Sequence, residues 1–147
     1  MATSSDADTA PVVRYSVDGA VATISLNRPQ AANAQNSRMI DELDAAFGRA
    51  DADDAVRVVV LAAEGKHFSA GHDLKELLAG EEHWSAMRAT PEGKLRHEQV
   101  MYFDKLVKIR DLRKPTIAAV QGTCSAAGTY KFHCNIHSFM HGTLTVT

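Results

Sequence analysis

The run Val56-Arg57-Val58-Val59-Val60-Leu61 constrains the fold of this chain more than any other feature. β-Branched residues that follow one another without polar alternation mark a strand buried on both faces. Such strands belong to parallel, layered sheets whose faces are covered by helices. Thr116 to Val120 repeats the pattern, so two buried strands of an α/β protein are expected. Val12–Val17 and Ala20–Leu26 read as two further strands. Asp18-Gly19 between them is a hairpin signal, because the tight turn needs positive φ. In the second of these, Ala22, Ile24 and Leu26 alternate with Val21, Thr23 and Ser25, which predicts packing mainly on one face.

Helices are expected between the strands. Asn27-Arg28-Pro29 ends the hairpin, since proline cannot donate to a ladder. Met39, Ile40, Leu43, Phe47 and Ala50 then fall at helical spacing over residues 37–50, with Asn36 as cap. A short helix should start near Asp73, and a long one should run over residues 94–112 with Leu95, Tyr102, Leu106 and Ile109 on one face. The polar stretch 79–93 reads as a surface loop. Residues 1–11 read as a disordered leader.

Composition excludes several functional classes. The 147 residues are 45% apolar and 23% charged, with a net charge of −2. This is enough chain for one domain with a core. The charge is too small to argue for a nucleic acid, an anionic membrane or a polyanionic partner. No apolar run has the length of a membrane span, and the N-terminus lacks the marks of a secretion signal, so a cytoplasmic location is expected. Cys124 and Cys134 do not make a disulfide framework.

Two segments carry chemistry: Lys66 to Lys75, and Lys114 to Gly128. Each reads as a buried strand, a loop of small residues and a helix start. Small residues admit a ligand close to the backbone, and free N–H groups at helix starts attract anions. Two adjacent loops of this kind could aim two N–H donors at one oxygen, although ordinary strand-to-helix turns look the same. Asp73 fits a helix cap or an ion-pair partner better than a catalytic base. His72 fits a solvent-facing loop residue, and Arg28 a surface or packing arginine.

Asn27-Arg28-Pro29, Asn33-Ala34, Phe68-Ser69-Ala70-Gly71-His72-Asp73-Leu74 and Lys114-Pro115 through Gly128 stand in the order and spacing of the enoyl-CoA hydratase/isomerase (crotonase) superfamily. The chain resembles the N-terminal portion of that family from about Val12 to Gly128. The resemblance implies an α/β spiral of ββα units, truncated here, and a family trimer. It implies an acyl-CoA thioester as substrate, with no cofactor beyond the CoA of the substrate itself. The thioester oxygen would lie between the backbone N–H groups of His72 and Ala127, each donor worth roughly 3–4 kcal/mol in the transition state. Gln30, Ala31 and Ala32, with Ala70, Gly71, Asp73, Leu74 and Lys75, would line the CoA site.

The pattern departs at Tyr130, where hydratases of this family carry the first of two glutamates; the second would fall beyond Thr147. Hydration is therefore expected to be negligible, which leaves a non-catalytic CoA-thioester-binding or oligomer-associating fragment as the alternative. Composition also shifts: the last nineteen residues contain no alanine, aspartate or glutamate, while all 18 acids lie upstream. Residues 129–147 are expected to be an atypical tail, read from another frame or from an alternatively processed message. His133, His137 and His141 are four apart, with Cys134 beside the first. On a helix they would share a face and could bind zinc or copper.

Overall fold

The computed structural model describes residues 10–79, 85, 87–122, and the backbone of 128–133 and 141–146. Strands β1 (Val13–Asp18) and β2 (Val21–Leu26) form the expected hairpin, with Gly19 at φ +55° in the turn. Helix α1 (Ser37–Ala52) follows, and β3 (Val58–Ala63) returns parallel to β2. β4 (Thr116–Ala118) adds to β3, also parallel, giving a four-stranded sheet in the order β1-β2-β3-β4.

One face of this sheet makes the core. Ala22, Ile24, Leu26 and Val59 are buried against Met39, Leu43, Ala46, Phe47 and Ala50 of α1. The helical spacing and the strand alternation thus meet face to face, and each large side chain buried this way stabilises by about 1.5–3 kcal/mol. The Asn36 side chain accepts from the Met39 N–H at 3.0 Å, as a cap should. At the other end of α1, the Lys114 ammonium donates to the carbonyls of Ala50 and Asp53, where a cation also suits the helix dipole. Glu42 of α1 accepts from the N–H groups of Val12 and Val13, both at 2.9 Å, which ties the start of β1 to the helix.

Several expectations are corrected. β3 starts at Val58 rather than Val56, and among its residues Val59 alone is fully buried, because the helices among the described residues pack on one face of the sheet. β4 is short and exposed, with Ile117 and Val120 each 57% accessible. The polar loop ends sooner than expected, since Thr90 caps helix α3 (Pro91–Glu98), with proline at the first helical position where its missing N–H costs nothing. A π-helical turn (Gln99–Phe103) joins α3 to α4 (Asp104–Arg110). That turn buries Met101 and Tyr102 beside Ile40, while Leu95 is 73% exposed. Ala10 and Pro11, expected in the leader, are held by the fold: their carbonyls accept from Arg38 and Asn27. Residues 1–9 lie outside the described residues.

The tail reads as β5 (Gly128–His133) paired antiparallel with β6 (His141–Val146). Its threonines and aromatic residues suit strands. His133 and His141 are register partners in this ladder, so the helix on which the three histidines would share a face does not form at these two positions; His137 and Cys134 lie outside the described residues. Among the described residues no helix is long and apolar enough to cross a membrane.

Candidate active site: the loops around His72

The site is built from two loops at the ends of β2 and β3. After β2 a single 3-10 turn (Pro29–Ala31) is followed by Ala32 and Asn33, both left-handed at φ 48° and 53°. This shape is unfavourable for alanine and better tolerated by asparagine. Asn33 is fully buried and bridges both loops: its Oδ1 accepts from the Arg28 N–H at 2.8 Å, and its Nδ2 donates to the carbonyls of Glu64 (2.9 Å) and His67 (2.8 Å). The Ser69 hydroxyl donates to the Asn33 carbonyl at 2.9 Å and accepts from the Gly71 N–H at 3.2 Å.

The loops also pair through their backbones. The Ala70 N–H donates to the Ala32 carbonyl at 3.0 Å. Gln35 and His72 form an isolated parallel bridge, in which the Gln35 N–H donates to the Gly71 carbonyl (2.7 Å) and the Asp73 N–H to the Gln35 carbonyl (3.0 Å). A trans peptide is planar, so its C=O and N–H point in opposite directions. With the Gly71 carbonyl turned onto Gln35, the His72 N–H points away from Gln35. An amide held in this way has a fixed direction, the condition that stabilising a developing negative charge on an oxygen requires.

The second chemistry-bearing segment enters beside the first. The Gln121 amide donates to the carbonyls of Ala63 (2.6 Å) and Gly65 (3.3 Å), and its own carbonyl accepts from the Phe68 N–H at 3.1 Å. Gly122 has φ +89°, and a Cβ there would lie 2.7 Å from the Lys66 carbonyl oxygen, so glycine is required by both conformation and space. Ala127, Cys124 and the rest of 123–127 lie outside the described residues.

Asp73 is fully engaged. Its Oδ2 accepts from the Arg28 guanidinium at 2.9 Å, with the two side chains only 11% and 18% exposed, and its Oδ1 accepts from the N–H groups of Lys75 and Glu76 at the start of α2 (Leu74–Ala79). Burial pushes this carboxyl up, but the Arg28 hydrogen bond and the two amides outweigh it and hold the group below its ordinary value. Asp73 is thus both the cap and the ion-pair partner that its sequence position suggests. Arg28 is no surface residue: it spans the site to Asp73 and donates to the Ala34 carbonyl at 2.6 Å. Glu76 reaches back to accept from the Ser37 N–H at 2.8 Å, joining α2 to the start of α1.

The His72 side chain is half exposed. Its ring packs on Tyr102 with centroids 4.3 Å apart, and Nε2 lies 3.7 Å from the Glu98 carboxylate. Burial, together with the charges of Glu76 and Glu98, pushes the Tyr102 phenol up. The expected CoA-site residues fall into two adjacent groups: Gln30, Ala31 and Ala32 on the 3-10 turn, and Ala70 to Lys75 on the facing loop. Leu74 and Lys75 are exposed, whereas the Asp73 carboxylate is turned inward. Asn33, Ser69 and Gln35 are not among the site residues expected from the sequence, and Tyr102 is expected only on a helix face. An asparagine in a small-residue loop after a strand-ending proline is the one available signal, since it can satisfy both donors and acceptors in a left-handed turn.

Comparison with known proteins agrees with this geometry. A family model described as "Enoyl-CoA hydratase/isomerase" matches residues 16–136, a stretch that runs past Gly128. EchA13 of Mycobacterium tuberculosis, named for the enoyl-CoA hydratases, is 41% identical over 136 residues, covering 83% of this chain and 43% of that protein. Crystal structures of probable enoyl-CoA hydratases from Mycobacterium smegmatis and Mycobacterium thermoresistibile share 48% and 49% identity, with TM-scores of 0.65 and 0.66. They cover 76% and 77% of this chain, which in turn covers 41% and 42% of theirs. The chain therefore spans about two fifths of the length of these relatives. Its mixed α/β sheet has the crotonase fold of these neighbours, and the chain is a member of the enoyl-CoA hydratase/isomerase family.

Proposed function

We propose that this chain binds an acyl-CoA thioester and that the His72 N–H, with that of Ala127, donates to the thioester oxygen. Charge that develops on this oxygen as an enolate forms is stabilised by both donors, each worth roughly 3–4 kcal/mol where water is excluded. The carrying observation is the direction of the His72 N–H, fixed by the Gly71 carbonyl on Gln35. Gln30, Ala31 and Ala32 on one loop and Ala70, Gly71, Asp73, Leu74 and Lys75 on the other hold the CoA portion, through backbone groups and the exposed Lys75.

Proton transfer is the weak point of this chain as a hydratase. Tyr130 stands where hydratases of the family carry a glutamate. A phenol, with an ordinary pKa near ~10, does not serve as a base at neutral pH. No carboxylate follows Asp111 in these 147 residues. We therefore infer thioester binding with negligible hydration. Calorimetric titration with acetyl-CoA should give saturable binding at one site per chain, stronger than that of CoA, which lacks the carbonyl. Incubation with a short enoyl-CoA should give no more product than a heat-killed control. Absence of saturable heat with acetyl-CoA contradicts the binding reading, and turnover above the control contradicts the inferred lack of hydration.

A further inference from the structure

We propose that Asn33 and Ser69 are positioning residues that aim the His72 main-chain N–H, an assignment that rests on the acyl-CoA reading above. Every hydrogen-bonding group of Asn33 is used. Its N–H donates to the Arg28 carbonyl (2.9 Å), its carbonyl accepts from Ser69 Oγ (2.9 Å), and its side chain holds Arg28, Glu64 and His67. It therefore locks the loop after β2 to the loop after β3 from a fully buried position.

Ser69 carries that lock to the functional peptide. Its hydroxyl donates to Asn33 and accepts from the Gly71 N–H at 3.2 Å, with the Gln35 side-chain amide 3.4 Å away. Gly71 adopts φ +84° with no heavy atom within 4 Å of where a Cβ would stand, so no packing contact at that point fixes its pose. Its dihedrals are set instead from two sides: Ser69 Oγ on its N–H, and the Gln35 N–H on its carbonyl. Those dihedrals orient the planar Gly71–His72 peptide and with it the His72 N–H. Neither Asn33 nor Ser69 touches the reacting atoms; both act through Gly71.

Nitrogen-15 NMR of the full chain tests this directly. In Ser69→Ala the heteronuclear NOE of the Gly71 and His72 amides should fall, while amides of β1–β3 and α1 keep their wild-type values. Ser69→Thr, which retains the hydroxyl, should restore them. The same Ser69→Ala change should weaken acetyl-CoA binding about fivefold, the scale of one hydrogen bond. It should leave binding of S-ethyl-CoA, a thioether without the carbonyl, unchanged. Asn33→Asp sets anionic oxygens against two carbonyls and should have the larger effect; if that variant fails to fold, Ser69→Ala alone decides. An unaltered His72 amide in Ser69→Ala, or equal weakening for thioester and thioether, overturns the positioning role. A wild-type chain that binds neither compound overturns the acyl-CoA reading itself, and with it the purpose assigned to the two residues.

Discussion

At Asp73 a single carboxylate meets the Arg28 guanidinium and two main-chain amides of α2. Its carboxyl is held below the ordinary 3.8, so the folded state favours the ionised form more than the unfolded chain does. That stability is present above the unfolded value and is lost as pH falls through the folded one. Urea unfolding between about pH 3 and 6 should thus show wild-type stability declining below about pH 4, with a flatter decline in Asp73→Asn. At pH 7 the same substitution should cost about 1–2 kcal/mol, between the values for exposed and buried pairs. Identical acid limbs would contradict this account. The cap was legible from the residue type at a helix start. An ion-pair role was legible in the same way, but its partner was not, because Arg28 and Asp73 are 45 residues apart and no local pattern links them.

Among the elements, the β1–β2 hairpin and α1 were legible because their periods match the single face they bury. The strand β4 was legible as a strand but not in its exposure: an apolar run records a capacity for burial, not the presence of a covering element. Thr90-Pro91 is a helix-start signal that the polar composition around it obscured. The π turn at Gln99–Phe103 inserts a residue into the helical repeat, so the Leu95-to-Ile109 stripe does not face one way. The approach of the two chemistry-bearing loops was anticipated only as a possibility. The structure shows it through Gln121 and Gly122, as far as the described residues extend. Gly122→Ala should destabilise the chain by about 2 kcal/mol through positive φ and overpacking against Lys66. Hydrogen exchange should show the loss concentrated in residues 64–72 and 119–122. A variant as stable as wild type, with those amides equally protected, would show that this contact does not hold the loops together.

At the scale of the whole molecule, the described residues leave the sheet incompletely covered. β4 lies at an edge, and Ile117, Val120, Phe103 and Leu95 are exposed apolar side chains. Open edges and apolar surface favour association. Sedimentation velocity should therefore show mass increasing with concentration, and Ile117→Lys should shift the distribution toward monomer. A wild-type chain that stays monomeric over a hundredfold concentration range contradicts this.

Polarisation of the thioester carbonyl by main-chain amides can be read by infrared difference spectroscopy of acetyl-CoA carrying carbon-13 at the carbonyl. Bound to the chain, the carbonyl band should move to lower frequency than in water, because hydrogen bonding at oxygen weakens the C=O bond. A bound thioester whose band stays at its aqueous position would mean that the His72 amide does not reach the oxygen.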